Sequence, residues 1–548
     1  MSHFKTDSAI GVELYHPVAF WIGVVLLIGG VLAHLPGFFS MADMGYSMAG
    51  MEMSNGMLIG MAAIVLGLAL STWALVPRLA ELVRRGDAAA GMHVHAMDGA
   101  RLSWVHFWLL FVLCIALVVD VMKPATLGFV MPGMKSEYEL TTAQLSTFPL
   151  CALTGTTLGS FLWGLMSDRI GRRATIMLAA LFFVATSICG FMPSFGWNLF
   201  MCFVMGLSAG GMLPIVYALM AETVPVRMRG WLIILHGGIG TTCGYLVASG
   251  LAALFEPVYT WRILWFFGLP TGLAIVALNR YIPESPRFLL SRGDEAAARA
   301  VMGRFGIVVE QPHSRPEAVA TMMAQAATRL RAAARLRALF KPPLLTHSLT
   351  ILLYGVGWGL VNWGFLTFLP TLLRDAGFAA GATSVLLFEA SLAALPAIAL
   401  VAFLYGKWSS RRTMVACAGA TSLVMAGFAA LSPDVAHLSR TEILLVVMLI
   451  MAASTAVISM LSPYAAEVYP TMMRGTGSGF AAGTGKFGGM VGPPLMGLLL
   501  TASGTPVVAI LAMGIPIGLA ALLLVFTGVE TRGRGLEQIS RSMGESRE

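Results

Sequence analysis

The sequence predicts an all-α membrane protein with about fourteen transmembrane helices, arranged as two six-helix halves after an N-terminal two-helix hairpin. Of its 548 residues 57% are apolar and 11% charged, and the mean hydropathy of +0.80 is higher than a soluble domain of this length shows. About fourteen apolar runs are each long enough to cross a bilayer. A ten-residue motif at 221–230 recurs at 466–475, which indicates an internal repeat.

The first two apolar runs, residues 18–35 and 57–76, precede the repeat. No small-residue cleavage site follows the first run, so we interpret it as a retained anchor helix. Arginines at 78, 84 and 85 follow the second run and place both ends of the hairpin in the cytoplasm. We therefore assign residues 1–103 to an N-terminal transmembrane hairpin.

The loop between these runs is rich in methionine and follows His34. Its methionines are Met41, Met44, Met48, Met51 and Met53. Thioether and imidazole ligands suit Cu(I), so copper transport is one alternative function. Methionine is abundant throughout this chain, with 35 residues, and its flexible apolar side chain also suits a loop on a membrane surface. We assign no metal site.

Twelve further runs divide into an N-terminal half, 104–282, and a C-terminal half, 346–528. The charged stretch 283–345 between them is rich in alanine and arginine and is predicted to be a cytoplasmic linker, while 529–548 forms a cytoplasmic tail. The net charge of +8 falls mostly in loops assigned to the cytoplasm, so it reports orientation and not nucleic-acid binding. Both termini are predicted to be cytoplasmic in the inner membrane. Six cysteines without metal-site spacing indicate neither disulfides nor a metal site.

A short basic loop, GLMSDRIGRR at residues 164–173, separates two of these runs. Arginine near span ends resists translocation, which predicts a cytoplasmic loop. Its pattern GxxxDRxGRR resembles the signature loop between helices 2 and 3 of the major facilitator superfamily. The corresponding loop of the second half, GKWSSRR at 406–412, keeps the arginines but has serine in place of the aspartate. The resemblance implies two halves that rock about a central site.

Further motifs narrow the resemblance. AETVPVRMRG, AEVYPTMMRG, PESPRFL and ETRGRGLEQI are similar to those of the sugar-porter and metabolite–proton symporter branch, which includes aromatic-acid symporters, organic-ion transporters and synaptic-vesicle-protein relatives. The resemblance covers roughly residues 104–539 and implies a cytoplasmic charge network that locks the outward-facing state. The members of that network are Asp168, Arg169, Arg172, Arg173, Glu222, Arg229, Glu284, Arg287, Glu467, Arg474 and Glu530.

Charged residues inside spans are functional candidates by default, because intramembrane charge is energetically costly. Asp120 and Lys123 are three residues apart in the first span of the N-terminal half, so they share a helix face. Pro124 cannot donate a backbone hydrogen bond, which weakens the helix at this turn. We predict that protonation of Asp120 frees Lys123 to bind a substrate carboxylate. A static ion pair that braces the helix is the alternative.

Other candidate side chains lie in later spans. Lys486, in the glycine-rich eleventh span, is predicted to contact the substrate carboxylate, as a basic residue in organic-anion relatives would, or else to extend to the interface. His236 is a candidate proton relay or a structural histidine. Glu389 is a candidate proton carrier or lies near the mouth of the transporter.

The seventh span carries an aromatic face. Tyr354, Trp358 and Asn362 recur every fourth residue, and Trp363 is adjacent. Aromatic rings with one amide suit stacking on a flat substrate, although they also suit packing.

The sequence therefore predicts a secondary transporter that imports an organic, aromatic carboxylate together with protons. Its partners would be a small organic anion, protons and the lipid bilayer, with no nucleic acid and no cofactor, and it would act as a monomer. Copper transport and drug efflux by proton antiport are the alternatives; span five lacks the proline-containing signature of drug exporters. An enzyme is not expected, because no nucleophile–base constellation or phosphate-binding loop is present.

Overall fold

The computed structural model describes residues 16–75, 102–291, 294–306, 337–342, 344–469 and 474–531. These residues form helices and connecting loops, with no β-strand in the ranges described. The helices that carry the fold are α1 (Pro17–Leu32), α2 (Leu35–Phe39), α3 (Asn55–Leu75), α4 (Trp104–Glu137), α5 (Thr142–Ile170), α6 (Arg172–Ala185), α7 (Phe195–Thr223), α8 (Val226–Tyr259), α9 (Gly268–Leu278), α10 (Pro286–Ser291), α11 (Glu295–Arg304), α12 (Leu345–Gly359), α13 (Thr367–Asp375), α14 (Ala380–Lys407), α15 (Ser410–Leu431), α16 (Arg440–Val468), α17 (Arg474–Ser503) and α18 (Pro506–Thr527).

Thirteen helical segments in the described part of the chain are long and apolar enough to cross a membrane. The segment made by α17 has the length of a span, 30 residues, but its glycines, prolines and Lys486 lower its hydropathy, and it is not among the thirteen. The all-α membrane architecture predicted from the sequence is confirmed.

By contacts the chain divides into two compact units. The first comprises Met1–Asp120, Gly155–Ile233 and Trp265–Arg329; the second comprises Val121–Thr154, Ile234–Leu264 and Leu330–Glu548. The six-helix halves and the linker stay a prediction. Of the linker and tail, residues 307–336 and 532–548 lie outside the described residues.

The N-terminal hairpin belongs to the first unit. Helices α1 and α3 pack along facing glycines: a Cβ at Gly30 would lie 2.6 Å from the carbonyl oxygen of Gly60, and one at Gly23 would lie 2.7 Å from that of Gly67. Small residues let membrane helices approach this closely. Both helices also pack on α6, which explains why almost every residue from Arg173 to Ala185 is buried. The extra hairpin thus covers the third span of the predicted N-terminal half.

The second unit is built around a close seam between α12 and α17. An added Cβ at Gly359 of α12 would overlap the backbone of Gly485 and Gly489 on α17, and one at Gly488 of α17 would overlap the backbone of Val356 on α12. Glycine is needed here because two helix backbones are in direct contact. The seam fixes the positions of side chains along both helices.

Candidate functional site

Two opposite charges lie in the middle of α4, and both are buried. Asp120 is 5% exposed and Lys123 is 2% exposed. They are the seventeenth and twentieth residues of a continuous 34-residue helix that contains Pro124, so both lie near the middle of its length. Charged groups at this depth carry a large desolvation cost, and their retention is consistent with the predicted functional role.

The aromatic side chains of the seventh span lie against the glycine-rich helix α17. The ring of Trp358 is 3.1 Å from the position of a Cβ on Gly485, and the ring of Trp363 is 2.7 Å from that of a Cβ on Gly489. Lys486, half-buried, is in sequence between these two glycines. The structure thus brings two predicted indoles to the stretch of α17 that carries the predicted lysine.

A π-helical segment, Leu360–Leu366, follows α12 and contains Asn362 and Trp363. Tyr354 and Trp358 are four residues apart and share a face of α12. Because a π-helix has more residues per turn than an α-helix, Asn362 does not extend that face as the four-residue spacing predicts. Single π-helical turns inside α-helices are frequent at functional sites. Sequence periodicity could not predict this change of helix type.

Several buried polar atoms of the second unit have no hydrogen-bond partner among the described residues. They are Tyr354 Oη, Trp358 Nε1, Thr242 Oγ1, Tyr245 Oη and Ser454 Oγ. Buried donors of this kind are normally satisfied, by protein, water or ligand. Tyr354 and Trp358 are sequence-predicted; the others were missed, because isolated Ser, Thr and Tyr residues in spans carry no distinguishing signal.

The two remaining proton-coupling candidates differ in their surroundings. His236 on α8 is buried; two residues later, Gly238 packs directly on Ile398 of α14. Glu389 forms an ion pair with Arg440 at 2.7 Å, and the two side chains are 37% and 60% exposed. Glu389, on α14, is therefore a partly solvated group that is paired with the first residue of α16.

In the first unit, a carboxylate holds the start of α6. Glu284 accepts hydrogen bonds from the backbone N–H groups of Arg172 at 2.8 Å and Arg173 at 3.3 Å. Gly171, with φ +99°, precedes them, and a Cβ there would lie 2.8 Å from the Glu284 carboxyl carbon. The Arg172 guanidinium lies 3.5 Å from Glu222. Burial raises the pKa of Glu284 above its ordinary value, although its backbone donors oppose this shift.

The second unit repeats this arrangement with different donors. Glu530 accepts from the backbone N–H of Ser410 at 3.0 Å and its hydroxyl at 2.7 Å, and from the Ser409 hydroxyl. Glu467 accepts from Tyr405 Oη at 2.8 Å and from a hydroxyl on residue 531. The serines that replace the aspartate of the first-half loop thus supply hydrogen bonds to the glutamate. In both units a carboxylate meets the partial positive charge of a helix N-terminus.

Four members of the predicted network are placed only in part. The side chains of Asp168, Arg229, Arg287 and Arg474 lie outside the described residues. Arg169 is exposed. Arg173 is buried, and its Nε donates a hydrogen bond to Asn279 Oδ1 at 3.3 Å.

Three ion pairs in the second unit, at helix ends away from its arginine-bearing loop, were not predicted from the sequence. Within the second unit Lys135 pairs with Asp375 at 2.7 Å, and the fully buried Arg262 pairs with Glu137 at 2.7 Å. A third pair joins Glu256 to Arg374. The partners are 118 to 240 residues apart, so sequence spacing contains no signal for them.

The Met-rich loop is anchored to the first unit. The backbone N–H of Gly50 donates to Pro193 O at 2.9 Å, Met48 is buried, and His34 Nδ1 donates to Gly30 O at 2.8 Å. The described residues contain no group of three or more His, Cys, Asp or Glu side chains that could hold a metal ion.

Comparison with known proteins identifies the family. A family model described as "Sugar (and other) transporter" matches residues 115–543. The chain belongs to the sugar (and other) transporter family. It is thus a multi-pass membrane transporter, and the match leaves the N-terminal hairpin outside the family region.

Several curated relatives are named for the small organic molecules that they transport. The niacin transporter NiaP of Acinetobacter baylyi is 25% identical over 448 residues, covering 81% of this chain and 99% of the relative. The gallate transporter of Pseudomonas putida is 27% identical over 437 residues, covering 77% and 92%. The benzoate transport protein of Acinetobacter baylyi is 23% identical over 447 residues, covering 78% and 91%.

Solved structures of other transporters show the same fold. The major facilitator proton:xylose symporter XylE bound to 6-bromo-6-deoxy-D-glucose has a TM-score of 0.61 at 18% identity, covering 80% of this chain and 98% of XylE. A partially occluded inward-open XylE from E. coli has a TM-score of 0.63 at 15% identity, covering 79% and 100%. The major facilitator fold predicted from the GLMSDRIGRR loop is therefore confirmed.

Proposed function

We propose that this transporter imports an aromatic carboxylate together with protons. The observation that carries the proposal is the placement of Trp358 and Trp363 against the segment of α17 that bears Lys486. Indole rings packed on a helix segment that also bears a lysine suit a flat, anionic ring. Relatives named for benzoate, gallate and niacin support the same class of substrate.

Lys123 is proposed as the second cation for the substrate carboxylate. It is almost fully buried, so a bound anion would offset part of its desolvation cost. Asp120, one helical turn earlier on α4, is the proposed proton carrier. Its protonation would remove a negative charge close to Lys123 and so favour anion binding, and its deprotonation on the cytoplasmic side would favour release.

The two carboxylates at helix starts are proposed as the inner lock. Glu284 and Glu530 each hold the N-terminus of the helix that follows the arginine-bearing loop of its unit. Ion pairs and charge-assisted hydrogen bonds of this kind bias a two-state equilibrium by a few kcal/mol. Cytoplasmic placement of both loops, and of both termini, is part of the proposal and follows from their arginines.

Uptake into proteoliposomes tests the proposal. Labelled benzoate would be offered with and without an inward proton gradient, with gallate, nicotinate, an aliphatic dicarboxylate and xylose as competitors. We expect gradient-driven accumulation that aromatic acids inhibit and xylose does not. Asp120→Asn should abolish accumulation, and Lys486→Gln should raise the KM for benzoate by about tenfold or more, as expected for loss of a charged contact.

A matched lysine variant separates a local effect from a change in net charge. Lys341→Gln removes one positive charge at an exposed position and should leave benzoate uptake unchanged. If Lys486→Gln behaves like Lys341→Gln, the carboxylate site is wrong. Transport of Cu(I) alone, abolished by removal of residues 36–56, would favour the copper alternative instead.

A further inference from the structure

The ends of four helices lie in the second unit on the side opposite the arginine-bearing loop of that unit, residues 406–412. Helices α4 and α8 end there at Glu137 and Tyr259, α13 ends there at Asp375, and α14 begins there at Ala380. Ion pairs join the end of α4 to the end of α13 and the end of α8 to the end of α13. Because α4 and α8 belong to the predicted N-terminal half and α13 to the predicted C-terminal half, these two ion pairs cross between the predicted halves.

We propose that the Glu256–Arg374 pair is the outer lock of the transporter, the contact that must break for the external mouth to open. Glu256, on α8, is 4% exposed in its side chain and Arg374, on α13, is 20% exposed. The Ser384 hydroxyl on α14 donates to the same carboxylate at 3.3 Å. One carboxylate therefore holds three helix ends together.

The neighbouring pairs have different roles. Lys135 and Asp375 are 27% and 53% exposed, so solvent screens their attraction and they contribute little. Arg262 lies over the Trp261 ring at 4.6 Å and pairs with Glu137. That pair joins α4 to the short helical turn that follows α8, within the predicted N-terminal half, so it does not cross between the halves.

Burial makes the Glu256–Arg374 pair suited to switching. A buried ion pair adds little stability compared with apolar packing, but loss of one partner leaves an uncompensated buried charge. The closed arrangement is therefore favoured only while both partners are present. When the helix ends separate, both groups gain water, so the open arrangement is also accessible.

A cavity of about 410 Å³ lies next to this lock. Thr371, one helical turn before Arg374, lines it together with Asp375, Phe368 and Phe428. The Thr371 side chain is 2% exposed, and its hydroxyl has no hydrogen-bond partner among the described residues. Opening of the lock would expose position 371 to the external solution.

Labelling of Thr371→Cys tests this proposal without substrate, so its result is independent of the transport assay. A membrane-impermeant maleimide would be added outside intact cells, and labelling of the parent protein, which has six native cysteines, would be subtracted. With the lock intact we expect slow labelling. Glu256→Gln should accelerate it by about tenfold, because the open arrangement becomes more populated.

Control variants identify the pair as the cause. Lys135→Gln should change the rate by less than about twofold, since that pair is solvated, and Glu295→Gln, which removes an exposed pair with Arg299, should not change it. The charge swap Glu256→Arg with Arg374→Glu should restore slow labelling. Ser384→Ala, a mild change, should accelerate labelling by about two- to threefold.

The proposal is overturned by either of two results. One is a Glu256→Gln protein that elutes as a single species and is labelled at the parental rate. The other is accelerated labelling that the charge swap does not reverse. If Glu256→Gln does not fold, Ser384→Ala decides: parental labelling in that variant overturns the proposal, and faster labelling supports it.

Discussion

The α12–α17 seam makes a quantitative prediction about two glycines of one helix. A Cβ at Gly488 would lie 2.8 Å from Val356 Cα and still closer to the Val356 carbonyl oxygen, whereas a Cβ at Gly483 would meet nothing within 4 Å. Normal carbon–carbon contacts are about 3.5–4.0 Å, so Gly488→Ala requires the backbones to separate by about 1 Å. Overpacking of this kind costs about 1–3 kcal/mol, and more where backbone must move.

Gly483→Ala is the matched control, because it makes the same chemical change five residues earlier in α17. A Gly→Ala change in open helical space reduces the entropy of the unfolded chain and stabilises by about 0.4–1 kcal/mol. Since the unfolding entropy scales with chain length, 1 kcal/mol corresponds to about 1–2 °C in a chain of this size. Thermal unfolding in detergent should show Gly488→Ala several degrees below Gly483→Ala.

The seam also positions the proposed site, so transport should change in parallel. Separation of α12 from α17 moves Trp358 away from the segment that carries Lys486, and benzoate uptake by Gly488→Ala should fall by more than about fivefold, as displacements near 1 Å cost binding and rate. Uptake by Gly483→Ala should match the parent. Equal melting temperatures for the two variants would refute the packing argument, and equal uptake would refute the link between the seam and the site.

Three further predictions concern the inner carboxylates. Burial raises the pKa of Glu284, so its contribution to stability is complete below the ordinary glutamate pKa of about 4.3 and decreases as pH rises through the raised native pKa. The difference in melting temperature between the parent and Glu284→Gln should therefore shrink toward neutral pH. A difference that grows with pH would contradict this sign. Gly171→Ala should lower the melting temperature by several degrees, because φ +99° disfavours alanine by about 1–2 kcal/mol and its Cβ would displace Glu284; unchanged unfolding would exclude that contact. Tyr405→Phe removes a 2.8 Å hydrogen bond to Glu467 and should cost about 1.5–3 kcal/mol, measured as a lower melting temperature, whereas a loss below the error of the measurement would show that the carboxylate finds another donor.

The sequence predicts those features that depend on residues close together in the chain. A span must be continuous and apolar, so hydropathy predicts which stretches of the chain form membrane helices. A repeated motif marks equivalent ends of the two halves, so the sequence predicts Glu284 and Glu530 as equivalent residues. Aromatic residues at fixed intervals predicted Tyr354 and Trp358 on one face of α12.

Other features depend on which helices meet. The change from α-helix to π-helix at Leu360–Leu366 occurs where α12 is packed on α17, so periodicity alone missed it. The partners Glu256 and Arg374 are 118 residues apart, and no spacing rule connects them.

The sequence by itself determined that this chain is a helical membrane transporter of the major facilitator fold, because hydropathy and loop motifs record membrane crossing directly. Only the tertiary structure decided that α1 and α3 cover α6, that Trp358 and Trp363 lie against the Lys486 segment, and that Glu256 holds three helix ends. These relations arise from side-chain volume and close backbone contact between distant segments, and a linear pattern does not contain them.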